Sequence, residues 1–165
     1  MSNLGKIKNI HFIGIGGSGM IGIAKLLLMK GYKISGSDIE KSNALINLSK
    51  QGAEVFYKHK RSNIKNVDLV VISSAISSNN IELDEAKTRN ITVIPRAEML
   101  GSIMKGYRSI SVAGSHGKTT TTSLIAGIFS DAGLSPTYVV GGKVLSVNEN
   151  SKLGLGSYMI TEADE

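Results

Sequence analysis

The chain has 165 residues, a formal net charge of +6, 41% hydrophobic residues and no cysteine. That composition excludes wholesale disorder, disulfides, thiolate metal sites and cysteine nucleophiles, and it suits a reducing, cytoplasmic setting. The basic residues are scattered, and only 3 Phe and 5 Tyr are present to stack bases, so a cleft for a small anion fits better than a nucleic-acid surface.

The apolar run that follows the first lysines breaks into glycines within a few residues. It predicts a first strand over 6–13 rather than a signal peptide, and no segment is long and apolar enough to span a membrane. Residues 18–30 are apolar around most of a helical circumference and predict a well-buried helix, with Met20 and Met29 in the core and Gly31 as its left-handed cap. A strand over 32–35, a helix over 42–50 with Ser42 as N-cap and Gly52 past its end, and a strand over 53–56 follow. Residues 67–73 (VDLVVIS) have the continuous apolar character of a strand buried on both faces of a parallel sheet. A helix over 80–89, a strand over 91–94 closed by Pro95, and a helix over 96–104 complete this stretch. The pattern then restarts with a strand over 108–113, a helix over 117–131 capped by Gly133, and a strand over 137–140. A glycine-rich polar connection over 141–156 and a strand over 157–162 end it. Strand–helix alternation predicts an α/β fold: a Rossmann-like parallel-sheet domain over 1–104, then the start of a P-loop α/β domain over 105–165.

Two glycine loops stand out among 19 glycines against 2 prolines. The first is Gly14-Ile15-Gly16-Gly17-Ser18-Gly19, a G-x-G-x-x-G after a strand and opening a helix. Gly14 permits the tight turn, Gly16 the approach of backbone N–H groups to a diphosphate, and Gly19 close helix–strand packing. Asp38 follows 19 residues beyond Gly19, where a ribose or base contact belongs. The second is Gly114-Ser115-His116-Gly117-Lys118-Thr119-Thr120, again between strand and helix. Backbone N–H donors, a lysine for the β- and γ-phosphates and a hydroxyl for Mg²⁺ are the parts of an ATP loop. It has the short G-x-x-G-K-T-T form, with Val112 where the longer form has glycine. An NAD(H)-binding regulatory or redox module explains the first loop and leaves the second idle. An enzyme holding a nucleotide-bearing substrate in one domain and ATP in the other explains both.

The runs HFIGIGGSGMIGIA (11–24), GSD (36–38), VVISSAI (70–76), PRAEML (95–100), AGSHGKTTTT (113–122), VGGKV (140–144) and TEADE (161–165) resemble the Mur ligases, nearly end to end. The likeness is greatest to members that add L-alanine. It implies ATP-dependent ligation of L-alanine to UDP-N-acetylmuramate in peptidoglycan precursor synthesis. By the resemblance, Gly14, Ile15, Gly16, Gly17, Ser18 and Gly19 cradle the UDP diphosphate, Asp38 meets the nucleoside, and Ser73, Ser74, Ala75 and Ile76 lie beside the sugar nucleotide. Gly114 to Thr120 bind ATP, Lys118 is the catalytic candidate that neutralises the transferred phosphoryl group, and Thr119 and Glu162 bind Mg²⁺. Ser73 and Ser74 also read simply as the end of a strand, and Arg96 as a surface helix residue or a substrate contact. His11 reads as structural, His116 as shaping its loop, and His59 as a polar-loop residue. The resemblance implies further domain features that this chain does not carry. The expectation is therefore an N-terminal part, inactive alone, that recognises the nucleotide sugar and can self-associate through an uncovered sheet edge.

Overall fold

The computed structural model describes residues 5–144 and 149–163. The side chain of Ser18 and residues Asp164 and Glu165 of the TEADE run lie outside that description. The chain divides into two compact units, one ending at Met99 and the other beginning at Leu100.

The first unit holds β1 (Asn9–Ile13), α1 (Ser18–Met29), β2 (Lys33–Ser37), α2 (Asn43–Lys50), β3 (Glu54–Phe56), β4 (Leu69–Ile72), α3 (Ile81–Thr88) and β5 (Thr92–Pro95). A single turn of 3-10 helix at Arg61–Asn63 precedes β4, and α4 (Arg96–Met104) follows β5 across the boundary between the units. The five strands form a parallel sheet in the order β3-β2-β1-β4-β5. Its central strands are the most apolar, and Ile10, Phe12, Ile13, Val70 and Val71 are fully buried. Helix ends follow the local chemistry. Ser42 Oγ accepts the Leu45 N–H at 3.2 Å, and Asn80 Oδ1 accepts those of Glu82 and Leu83 at 2.8 and 3.3 Å. Gly31 and Gly52 take φ of +90° and +112° as the left-handed residues that end α1 and α2.

The predicted elements are all present with their ends moved by a few residues: most are shorter, whereas β2 runs on to Ser37, β5 to Pro95 and β7 to Val144. One buried position is wrong: Met29 is 48% exposed, whereas Met20 is buried. Met29 is the last residue of α1, and about half of its surface stays uncovered at that end of the helix.

The second unit holds β6 (Arg108–Val112), α5 (Lys118–Asp131), β7 (Thr137–Val144), β8 (Glu149–Lys152) and β9 (Tyr158–Glu162), in the sheet order β6-β9-β7-β8. Strands β6, β9 and β7 run parallel, and Ala126, Tyr138, Val140 and Ile160 form the core under α5. The expected polar connection over 141–156 differs from what forms. Strand β7 continues to Val144 and β8 returns antiparallel beside it, with a register shift between Val139 and Val144. Residues 145–148 of that connection lie outside the described residues. The sequence ENSK of β8 carries no apolar alternation, because a strand at a sheet margin is held by its main chain. The glycines beyond it have a steric role: a Cβ at Gly154 or Gly156 would strike the backbone of Leu134, Ser135 or Pro136.

Candidate functional site

In the first unit the chain leaves β1 toward β2 and β3, then returns to β4 and β5 on the other side. The point of reversal lies between β1 and β4, and the crevice outside the strands' carboxyl ends is where such sheets take ligands. The glycine loop leaves β1 at this point, and the turn over 73–76 leaves β4 beside it. A Cβ on Gly14, whose φ is +79°, would lie 3.1 Å from both Ser73 Cβ and Ile76 Cδ1. The Ser73 N–H donates to the Ile13 carbonyl at 3.2 Å, and the Ile76 N–H to the Ser73 carbonyl at 3.1 Å. Ser74 and Ala75 are exposed at the tip of that turn. The structure thus brings Gly14 to Gly19 and Ser73 to Ile76 to one crevice.

The loop is held from below by β2. The N–H groups of Gly14 and Ile15 donate to the Ser37 carbonyl at 2.9 and 3.1 Å, and that of Gly17 to the Gly14 carbonyl at 3.2 Å. The Gly16 N–H donates to Asp38 Oδ2 at 2.7 Å. A Cβ on Gly16 would stand 2.7 Å from that same oxygen, so the glycine is needed to seat the carboxylate. Asp38 is therefore placed at the glycine loop. The amides of Gly14 to Gly17 are engaged within the protein, and those of Met20 and Ile21 donate to the Gly17 carbonyl at 2.9 and 3.0 Å, so the amides placed to meet an anion are those of Ser18 and Gly19 at the start of α1. A cation stands with them: a Cβ on Gly19 would collide with the Arg96 guanidinium. Gly36 in β2 has no room for a side chain either, since its Cβ would lie 2.5 Å from Ile15 Cδ1 and 2.8 Å from the Phe12 carbonyl oxygen.

Beside this crevice lies a cluster that the sequence did not single out. Glu82, in the first turn of α3, is fully buried. Its Oε2 accepts hydrogen bonds from Ser37 Oγ and from His59 Nδ1, the latter at 2.8 Å. Its Oε1 accepts from Asn63 Nδ2 at 2.6 Å and from the Lys60 N–H at 3.4 Å, and lies 3.7 Å from His11 Nε2. His11 is fully buried, and its Nδ1 meets Ser35 Oγ at 2.8 Å. Burial pushes the Glu82 carboxyl up, but the nearby His11 ring and the hydrogen bonds from Ser37 and His59 outweigh it and hold the group down at about 2. An open cleft of about 640 Å³ adjoins this cluster, lined by Lys41, Tyr57, Lys58, Lys60 and Asn63 among others. In it the Lys41 ammonium lies 5.1 Å from the centre of the Tyr57 ring.

In the second unit β6 runs into the loop over 114–120, and α5 begins at Lys118. Gly114 and Gly117 take φ of +146° and +77°, conformations that favour glycine and let the loop turn sharply into α5. Lys118 Nζ donates to the Gly114 carbonyl, folding the ammonium over the loop. Ser115, His116 and Thr120 are exposed, and Thr119 is half-buried. Glu162 ends β9 opposite Val112, at the carboxyl end of the neighbouring parallel strand, and its Oε1 accepts the Gly141 N–H at 3.0 Å. Strand pairing therefore puts Glu162 and the glycine loop over 114–120 at the same end of the sheet. Among the described residues no three His, Asp or Glu side chains gather as a cage for a metal ion. A hydroxyl and a carboxylate completed by phosphate oxygens and water form a donor set that Mg²⁺ accepts.

The family pattern described as "Mur ligase family, catalytic domain" matches residues 9–108, more than half of the chain. The UDP-N-acetylmuramate–L-alanine ligase of Buchnera aphidicola subsp. Acyrthosiphon pisum (strain Tuc7) is 56% identical over 160 residues, which are 97% of this chain and 33% of that protein. The enzyme of the same name from Geotalea uraniireducens (strain Rf4) is 52% identical over 161 residues, 98% of this chain and 35% of that protein. The chain thus spans about a third of the length of these curated relatives. Among solved structures, the UDP-N-acetylmuramate-alanine ligase of Thermotoga maritima aligns with a TM-score of 0.88 at 31% identity, over 94% of this chain and 36% of that one. The UDP-N-acetylmuramate:L-alanyl-gamma-D-glutamyl-meso-diaminopimelate ligase of Neisseria meningitides aligns with a TM-score of 0.89 at 25% identity, over 96% of this chain and 53% of that one.

Proposed function

The chain belongs to the Mur ligase family, and we propose that it supplies the nucleotide-sugar site and the ATP-phosphate loop of an ATP-dependent ligase that joins L-alanine to UDP-N-acetylmuramate in peptidoglycan precursor synthesis. The observation that carries the reading is the crevice at the strand reversal, where the glycine loop, Asp38 and the turn over 73–76 converge. Its chemistry suits a nucleoside diphosphate sugar. Helix amides and the Arg96 guanidinium meet the diphosphate, Asp38 meets nucleoside hydroxyls, and Ser73 to Ile76 flank the sugar side. The amino-acid identity in this proposal rests on the curated relatives, which carry the alanine-ligase name.

A carboxylate is a poor electrophile and repels ATP, so ligation proceeds by transfer of the γ-phosphoryl group to the substrate carboxylate. The alanine amine then attacks the acyl phosphate, and inorganic phosphate leaves. Lys118 and the loop amides of 114–120 serve by holding the phosphates in line and neutralising charge as it moves. Thr119 and Glu162 are the residues that would hold Mg²⁺, which when bound screens the phosphate oxygens.

Calorimetry of this chain with UDP-N-acetylmuramate tests the proposal. Saturable binding, with UDP as a competitor and NADH without effect, is the expected result. A folded sample that binds NADH but no uridine nucleotide would overturn it in favour of a redox module.

A further inference from the structure

We propose that Glu82 is a positioning residue for the nucleotide-sugar site, fixing the end of β2 and, through Ser37, the glycine loop and Asp38. The inference rests on the nucleotide-sugar reading of that crevice. The carboxylate gathers donors from separate segments: Ser37 ends β2, and His59 and Asn63 lie in the loop after β3, while the His11 ring of β1 stands 3.7 Å away. Ser37 is the junction. Its hydroxyl donates to Glu82 and also meets His59 Nδ1 at 2.9 Å, while its carbonyl accepts the amides of Gly14 and Ile15. The next residue, Asp38, accepts the Gly16 amide and donates its own N–H to the Phe56 carbonyl at 2.9 Å. A shift of Ser37 therefore moves the glycine loop and the nucleoside-side carboxylate together.

Fold stability alone does not favour an ionised group over an apolar one here. Helix α3 is already capped by Asn80 and already buries Leu83 and Ala86 in a core with Ile13, Ile64 and Val70. Well-packed apolar residues generally serve such a place as well as a buried charge network does. What the carboxylate adds is a fixed place for the donors it bonds, Ser37, His59, Asn63 and the Lys60 amide, since moving any of them away removes a hydrogen bond from a buried charge. The donors it fixes belong to the segments that border the crevice and the lysine-lined cleft beside it.

The test compares the full chain with Glu82→Gln and Leu83→Ala in calorimetric titrations with UDP-N-acetylmuramate, at a temperature where melting curves show each protein folded. Leu83→Ala removes buried contacts from the same helix and is expected to lower Tm with Kd unchanged. Glu82→Gln is expected to raise Kd by about tenfold, the effect of disturbing one charge-assisted contact network. It is also expected to move the amide resonances of Gly14, Ile15 and Gly16 in the unliganded protein. Affinity within about twofold of the original chain, with those resonances unmoved, overturns the proposal. Should Glu82→Gln not fold, Ser37→Ala keeps the backbone carbonyl and removes the hydroxyl link; a Kd raised about threefold supports the proposal and an unchanged Kd overturns it. Failure of the unsubstituted chain to bind any uridine nucleotide is a different result: it removes the nucleotide-sugar reading itself, and this inference with it.

Discussion

Glu82 keeps its charge inside the protein because donors replace the water it has lost, and that exchange makes stability depend on pH. Burial raises the carboxyl's affinity for a proton, while His11, Ser37 and His59 lower it further, so the folded value is about 2 against an ordinary 4.5. A folded value below the unfolded one contributes stability that is fully present above about pH 4.5 and disappears as pH falls toward 2. The contribution is on the order of 3 kcal/mol. Urea unfolding of the original chain and of Glu82→Gln should therefore show a stability gap that narrows as pH falls from about 6 to about 3. A gap of constant size would mean the carboxylate is not depressed in the fold. Nothing in the run IELDEAKT marks this residue, since a glutamate in a first helical turn ordinarily faces solvent. The glycines are the opposite case. Gly14, Gly16 and Gly19 were legible because the backbone demands them, and Cβ atoms there would strike Ser73, Asp38 and Arg96.

Helix α4 shows how an element can place a side chain that its own sequence leaves ambiguous. Strand β5 ends at Pro95 and α4 starts at once with Arg96. That abrupt joint carries the guanidinium across to the first turn of α1, against Gly19. Sequence alone leaves Arg96 equally a surface residue, because nothing local says that β5 lies two strands from β1. Glycine at position 19 leaves room for the arginine, whose atoms are the ones a Cβ there would meet. Replacing Arg96 with glutamine should weaken binding of UDP-N-acetylmuramate by about tenfold, the worth of one charge-assisted hydrogen bond. It should also flatten the dependence of Kd on salt, since one ion contact is removed. Uridine, which has no phosphate, serves as the control ligand and should bind both proteins alike. Equal losses for uridine and the nucleotide sugar would place Arg96 away from the diphosphate. Strand β8 was hidden for a different reason: its ladder partner is supplied by β7 main chain, and ENSK offers no pattern of burial to read.

At the scale of the whole molecule, the two units are built alike in outline but differ in how much each buries. Strands β1 and β4 lie in the middle of a five-stranded parallel sheet, and Ile10, Phe12, Ile13, Val70 and Val71 are shielded on both faces. This was readable beforehand, because a strand buried on two sides must be apolar without interruption. In the second sheet β6 has no pattern of full burial, with Arg108, Ser109 and Ser111 exposed. On α5, Leu124 and Ile128 are 63% and 65% exposed, one helical turn apart. Opening β6 therefore uncovers less apolar surface than opening β1, and free energies of local opening scale with that surface. Native-state hydrogen exchange should show amides of β1 and β4 exchanging only with global unfolding, and amides of β6 exchanging well before them. Denaturant at low concentration should accelerate β1 and β4 steeply and β6 little, because the surface exposed sets the slope. If β6 instead shares the protection and slope of β1, the second sheet opens only with the first, and the two units unfold as one cooperative body.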